Sequence, residues 1–162
     1  MSMVKDAGKA MLQGQEMPWS LHVLEDDVPW VAARPGIEQR ILHARPSMNF
    51  IVTQSRYQPG AHAGRHRHVG HVFAMTKRGA WSHDPDNFPY VPGTYVYEPA
   101  NVIHCFYNGP QVSEAMFVLQ GDVEFFEDGS DKVKHREGVD MLVKRYYERC
   151  EAAGLPRPGI LA

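Results

Sequence analysis

The stretch Gly60-Ala61-His62-Ala63-Gly64-Arg65-His66-Arg67-His68-Val69-Gly70-His71-Val72 decides how the whole chain is read. At its centre stands a His-X-His pair. Side chains of an extended strand alternate between faces, so His66 and His68 share one face and their imidazoles can converge on one point. On a helix they would diverge. The pair alone fits a polar loop with two surface histidines equally well, and the spacing around it carries the argument further. Five residues separate Gly60 from His66, and Gly79 closes the hydrophobic stretch that follows. A second cluster repeats the logic: Gly93, five residues, Pro99, then His104 and Asn108.

Around these clusters the text is that of an all-β protein. Short apolar or alternating runs predict strands at Glu38–Ala44, Asn49–Tyr57, Val72–Thr76, Thr94–Glu98, Ile103–Tyr107, Glu114–Leu119 and Asp122–Phe126. Turns are signalled at Gln58-Pro59-Gly60, Val91-Pro92-Gly93, Asn108-Gly109-Pro110 and Glu127-Asp128-Gly129-Ser130, where Gly supplies positive φ and Pro presets φ. Val139–Ala152 places apolar residues at helical spacing and is followed by Gly154 and Pro156, so it predicts one amphipathic helix. Val4 to Gln15 is weakly helical and is expected to form an arm that packs on the body or on a second subunit. Trp81, Tyr95, Tyr97, Phe106 and Phe117 are expected mostly in the core, with one or two walling a pocket.

The two histidine clusters resemble the two conserved motifs of the cupin superfamily, in the correct order, with Asn101 standing where the second motif usually has Gly. The resemblance implies a double-stranded β-helix, or jelly-roll barrel, over about residues 38–126. It also implies a mononuclear metal held by His66, His68 and His104. The first motif normally carries a glutamate ligand four residues after its second histidine, and here that position is Val72. The implied site is therefore a neutral three-histidine set with coordination positions left for water, substrate and dioxygen.

A narrower resemblance rests on Arg56-Tyr57-X-Pro59-Gly60, His66-Arg67-His68-Val69-Gly70, Gly79-X-Trp81, Gly93-Thr94-Tyr95-Val96-Tyr97-Glu98-Pro99 and Tyr146-Tyr147-Glu148. These look like 2,4'-dihydroxyacetophenone dioxygenases and are similar, more distantly, to the three-histidine diketone-cleaving dioxygenases. The resemblance implies Fe(II), with Zn, Ni or Mn as alternatives, and C–C cleavage of an α-hydroxyketone or β-diketone by O2. It also implies an acidic extra ligand from the loop between the motifs, for which Asp86 or Asp84 is available. His71 is a candidate for the pocket wall, and Glu98 for a hydrogen bond to a ligand imidazole. His62 and His83 read as surface or structural residues. Two rival readings share the scaffold. One is a Zn-binding sensor or regulatory cupin with a closed four-coordinate site. The other is an isomerase or hydrolytic enzyme using metal-bound water.

Composition narrows the partners. The 162 residues suit a single domain, and 43% hydrophobic with 22% charged residues is the balance of a globular chain. A formal net charge of −2, without a Lys/Arg run interleaved with aromatics, speaks against nucleic acid as a partner. No apolar stretch reaches the roughly 20 residues needed to span a bilayer, and Met1-Ser2-Met3-Val4-Lys5-Asp6 has no signal-peptide core, so a cytoplasmic protein is expected. Two cysteines exclude a disulfide framework; Cys105 is expected to be a small buried hydrophobe and Cys150 helix surface. Small barrels protect exposed sheet edges by pairing or by exchanging arms. A homodimer or larger even-numbered oligomer is therefore expected, and a light-scattering mass equal to one chain would overturn that expectation.

Overall fold

The computed structural model describes residues 21–160 and the backbone of residues 9–12 and 15–18. Two antiparallel sheets face each other, as the alternating strands demand. The larger contains β3 (Val31–Arg34), β4 (Ile37–Arg45), β5 (Phe50–Tyr57), β7 (Val72–Arg78), β9 (Tyr95–Glu98) and β11 (Ser113–Gln120), in the order β3-β4-β5-β11-β7-β9. The smaller contains β6 (His62–His68), β8 (Trp81–Ser82), β10 (Ile103–Asn108), β12 (Val123–Phe126) and β13 (Val133–Glu137), in the order β13-β12-β6-β10-β8. From β5 to β12 sequence neighbours thus alternate between sheets, the wrapping of an all-β cupin jelly roll.

Each predicted strand is present within two residues of its expected ends. The strands that the hydrophobic pattern leaves unmarked, β3, β6, β8 and β13, are short or polar and owe their order to pairing with neighbouring strands. Before the body lies a hairpin, β1 (Lys9–Leu12) with β2 (Gln15–Pro18), whose strands pair only with each other. This corrects the weakly helical reading over Lys9–Leu12; the rest of the arm lies outside the described residues.

Inward positions of both sheets form two contiguous apolar clusters. One gathers Ile41, Ile51, Val72 and Leu119 beneath the helix; the other surrounds the fully buried Trp81 with Tyr57, Phe106 and Ala115. The helix α1 (Val139–Ala152) buries Val139, Val143, Tyr146 and Cys150, and Tyr146 donates its hydroxyl to Pro29 O at 2.7 Å. Cys150 is only 1% exposed, which corrects its assignment to helix surface: it shares the buried i, i+4 face with Tyr146. Cys105 is half-buried beside the outward Tyr107, because strand alternation sets it on the face opposite the inward His104 and Phe106. Helix α1 stops where Leu155 N–H reaches Cys150 O at 2.8 Å and Gly154 takes φ +65°, a glycine-dependent closure. Among the described residues no helix is long and apolar enough to cross a membrane.

Gly79, between β7 and β8, combines φ +67° with a backbone so close that an added Cβ would lie 2.3 Å from Val112 O. Both the conformation and the space exclude a side chain. Gly79→Ala is expected to cost at least about 2 kcal/mol, read as a lower urea midpoint at unchanged m. A wild-type midpoint would show that the β7–β8 corner does not anchor the sheets.

Candidate metal centre

Strand pairing assembles the histidines. On β6, the inward phase of the alternation carries His66 and His68, while Arg67 points out to Glu124 at 2.7 Å. Strand β10 runs antiparallel to β6 with His104 directly opposite His66. Their Nε2 atoms lie 3.1 Å apart, and the donor atoms of His66, His68 and His104 all fall within 4.8 Å of one another. Asn101, two residues before β10, takes φ +65°, the left-handed conformation for which the motif normally uses Gly and which Asn tolerates better than most residues. Its N–H bonds to His68 O at 2.7 Å and ties the turn to the other histidine strand. Asn108 closes the far end of β10, its amide donating to Gln58 O and Gln111 O at 2.8 Å each.

An acid reaches this cluster from the opposite sheet. Glu98, 4% exposed, ends β9, and its Oε2 stands 3.3 Å from His68 Nε2 and 3.5 Å from His104 Nε2. Its Oε1 lies 3.2 Å from His83 Nε2, and the His83 ring stacks on His104 with centroids 4.4 Å apart. The position that lacks the motif's usual glutamate, Val72, is the cross-strand partner of Glu98 in the β7–β9 pair. Facing residues of an antiparallel pair project side by side from one face. A carboxylate from the neighbouring strand thus stands beside the histidines, within reach of the imidazoles as the sequence reading anticipated for Glu98.

Other candidates lie elsewhere. Asp84 and Asp86 are exposed and occupied in their own turn, Asp84 Oδ1 accepting the Asp86 N–H at 2.9 Å, and neither belongs to a potential metal-holding group among the described residues. His71 faces outward, where its Nδ1 meets Tyr97 Oη at 2.6 Å, so it does not wall the pocket. The outward phase of β9 also exposes Tyr95 and Tyr97, at 60% and 46%, correcting their expected place in the core. His62 is exposed. His83 is the residue that sequence reasoning missed. The signal was its period-2 relation to the buried Trp81, but β8 is too short for that alternation to register as a pattern.

Burial sets the protonation states. Removal from water pushes His104 down to about 3 and His68 down to about 4, and lowers His66 by the same cause, so the imidazoles are neutral near pH 7. Burial alone would raise Glu98, but the His83 hydrogen bond and the nearby imidazoles outweigh it and hold the group below the usual carboxylate value. His66 Nδ1 is 2.7 Å from Gly64 O, which fixes the proton there and leaves Nε2 bare toward His104. Buried Glu98 Oε2 has no hydrogen-bond partner. Facing lone pairs and an orphaned carboxylate oxygen are the groups a divalent cation would satisfy, and an N₃O set suits Fe(II), Zn(II) or Mn(II). The residues therefore fit a metal.

His66, His68, His83 and Glu98 line a cavity of about 170 Å³, close to the ~150 Å³ that accepts a benzene ring. Phe106, Phe117 and Phe125 wall it, with Thr53 and Ser55 as polar points on the larger sheet.

Such a cavity and donor set within a two-sheet jelly roll define a cupin. More narrowly, residues 20–130 match the model of the ChrR cupin-like domain, and the chain belongs to that family. No curated protein matches the chain. Among solved structures it is similar to an RmlC-like cupin of Ralstonia eutropha JMP134, with 21% identity, TM-score 0.78, and coverage of 88% of this chain and 94% of the other. An acetylacetone dioxygenase from Acinetobacter johnsonii is 16% identical, with TM-score 0.70 and coverage of 86% and 98%. The Rhodobacter sphaeroides complex of SigE with the anti-sigma ChrR matches at 18% identity and TM-score 0.50, over 59% of this chain and 50% of that one.

Because the three imidazoles titrate below 6.5 only when folded, unfolding takes up protons between the folded and unfolded values. Metal-free protein is expected to be fully stable above about pH 6.5 and to lose stability as pH falls toward about 4 and about 3. The limiting slope is about 1.4 kcal/mol per pH unit for each histidine. Urea midpoints measured in a chelator across this range check the sign, and a His68→Gln, His104→Gln double variant should flatten the profile.

Proposed function

We propose that His66, His68, His104 and Glu98 hold Fe(II), and that the protein is a dioxygenase cleaving a C–C bond of an α-hydroxyketone or β-diketone. The observation that carries this reading is the juxtaposition of four convergent donors with a ring-sized apolar cavity. A purely structural metal needs no such cavity. The fold shared with an acetylacetone dioxygenase supports the same scaffold for this chemistry.

Bound Fe(II) would supply an electron-rich centre that brings a chelating ketone and O2 together. The chain's own residues then have distinct tasks. His66, His68 and His104 stay neutral and keep the centre's net positive charge, which favours an enolate or alkoxide over a neutral ketone. Glu98, held ionised and oriented by His83, is placed to accept the proton that the substrate loses on chelation. Phe106, Phe117 and Phe125 hold the apolar part of the substrate and exclude water. The reaction balances without another reductant: R–CO–CH2OH and O2 give R–COOH and HCOOH, and a β-diketone gives a carboxylic acid and an α-ketoaldehyde.

A second reading has its own support. The family is that of the ChrR cupin-like domain, and a ChrR occurs as an anti-sigma in complex with SigE. On this reading the same donors hold Zn(II) in a regulatory module, and turnover is absent.

Protein reconstituted anaerobically with Fe(II) is expected to consume O2 with 2-hydroxyacetophenone or acetylacetone. His104→Ala should lower the rate by more than about a hundredfold, and Glu98→Gln by about 10- to 100-fold. Stoichiometric metal with no uptake on either substrate would favour the regulatory module.

A further inference from the structure

The cavity is also lined by an arginine cluster that the proposed metal chemistry does not use. Helix α1 presents Arg145 and Arg149, one turn apart, and β3 contributes Arg34. All three line the same cavity as His66, His68 and His83. Their acidic companion there is Glu137, at the end of β13, which is 6% exposed. Arg145 Nη1 meets its Oε1 at 2.7 Å and Arg34 Nη2 meets its Oε2 at 3.2 Å, while His135 Nε2 stands 3.5 Å from Oε1. Arg149 Nη2 donates to Ala33 O at 3.0 Å. Each guanidinium thus spends one nitrogen on the protein, and Glu137 pairs with Arg34 and Arg145, whereas Arg149 rests on a carbonyl oxygen. A guanidinium has five donors in a planar fork, so each keeps an edge free for an oxyanion.

The cluster is connected to the histidines through one ring. Arg34 Cζ lies 4.3 Å from the Phe125 centroid, and Phe125 lies 5.5 Å from His66. Phe125 thus stands between a guanidinium and a ligand-candidate imidazole on the cavity lining. Closure of the helix onto the sheets needs some of these contacts, but helix packing already rests on the buried Val143, Tyr146 and Cys150. It does not require a surplus of cations inside a cavity. Arg34 and Arg145 remain 37% and 41% exposed, so the arginine end opens to solvent and can receive a charged group without stripping it of all water.

We infer that Arg34, Arg145 and Arg149 form an anion-binding subsite, and that the cavity takes a ketone carrying a carboxylate one aromatic ring's length from its reacting carbonyl. This rests on the proposed metal reading for the orientation of the ketone, whereas the anion site itself does not. The arginines fix the carboxylate by charge-assisted hydrogen bonds, the phenyl rings bury the spacer, and the ketone is left facing His66, His68 and His104.

The test uses binding and not turnover. 4-Acetylbenzoate and its uncharged twin 4-acetylbenzamide are titrated calorimetrically into the full chain, once metal-free and once loaded with redox-inert Zn(II). The benzoate is expected to bind about tenfold tighter than the amide, with a preference that shrinks as salt is raised. Arg149→Gln, and separately Arg145→Gln, should each remove most of that preference while leaving amide affinity unchanged. Because Arg145 also neutralises Glu137, thermal melts of both variants accompany the titrations, and Arg149→Gln decides where Arg145→Gln melts early. Equal affinity for the two probes, or binding of neither, overturns the subsite even if Zn(II) binds stoichiometrically. A preference that persists in a protein unable to hold metal supports the subsite and overturns the metal reading instead.

Discussion

The antiparallel pairing of β6 with β10 is the constraint from which the centre follows. Its register sets His104 opposite His66, and the two-residue period of β6 adds His68 to the same face. A slip of one residue would turn His66 and His68 outward and bring Arg67 in. The register is held at both ends, by Asn101 N–H on His68 O and by the Asn108 amide spanning the turn carbonyls. Strand β12 pairs with the other edge of β6, opposing Phe125 to His66 and Val123 to His68, so the histidine strand is fixed from both sides. A cluster whose donor atoms repel one another needs that rigidity, because neutral imidazoles without a cation gain little from their own proximity.

The pairing of Val72 with Glu98 shows how register on a neighbouring strand can bring a carboxylate to a point where the strand's own residue is apolar. Val72 packs wholly within the core, and Glu98 brings its oxygen to the histidines from the opposing member of the pair. The pairing carries a further consequence: a carboxylate at the end of β9 has its second oxygen free for His83, so the acid arrives with its own positioning partner. The centre is then less positive than a purely histidine set and includes a group able to move a proton.

Polarity along the cavity unites the sheets with the helix. Packing of α1 through Val143, Tyr146 and Cys150 is apolar and could be met by many sequences, but it also sets Arg145 and Arg149 over the cavity mouth. Glu137 at the foot of the helix binds Arg145 from α1 and Arg34 from β3, so one buried carboxylate joins three elements around the opening. Between this mouth and the histidines stands the Phe125 ring, in contact with the Arg34 guanidinium on one side and 5.5 Å from His66 on the other.

Much of this was legible in the sequence, because strands, turns and α1 follow from local periodicity and from Gly, Pro and Asn placed where the backbone needs them. The His-X-His pair belongs to that class: two residues apart in an extended chain share a face whatever surrounds them. Asn101 could be read as a glycine substitute because a left-handed turn residue is a local demand. Tertiary structure alone decided which acid approaches the histidines, since Glu98 gains its place from the register of β9 on β7 and not from its spacing to His104. It also decided that His83 joins the cluster, that Tyr95 and Tyr97 face out while Cys150 faces in, and that Arg34 meets Arg145 and Arg149 of α1 at one opening. Those outcomes depend on strand register and helix docking, which are set by contacts between residues distant in sequence and leave no periodic trace in any one segment.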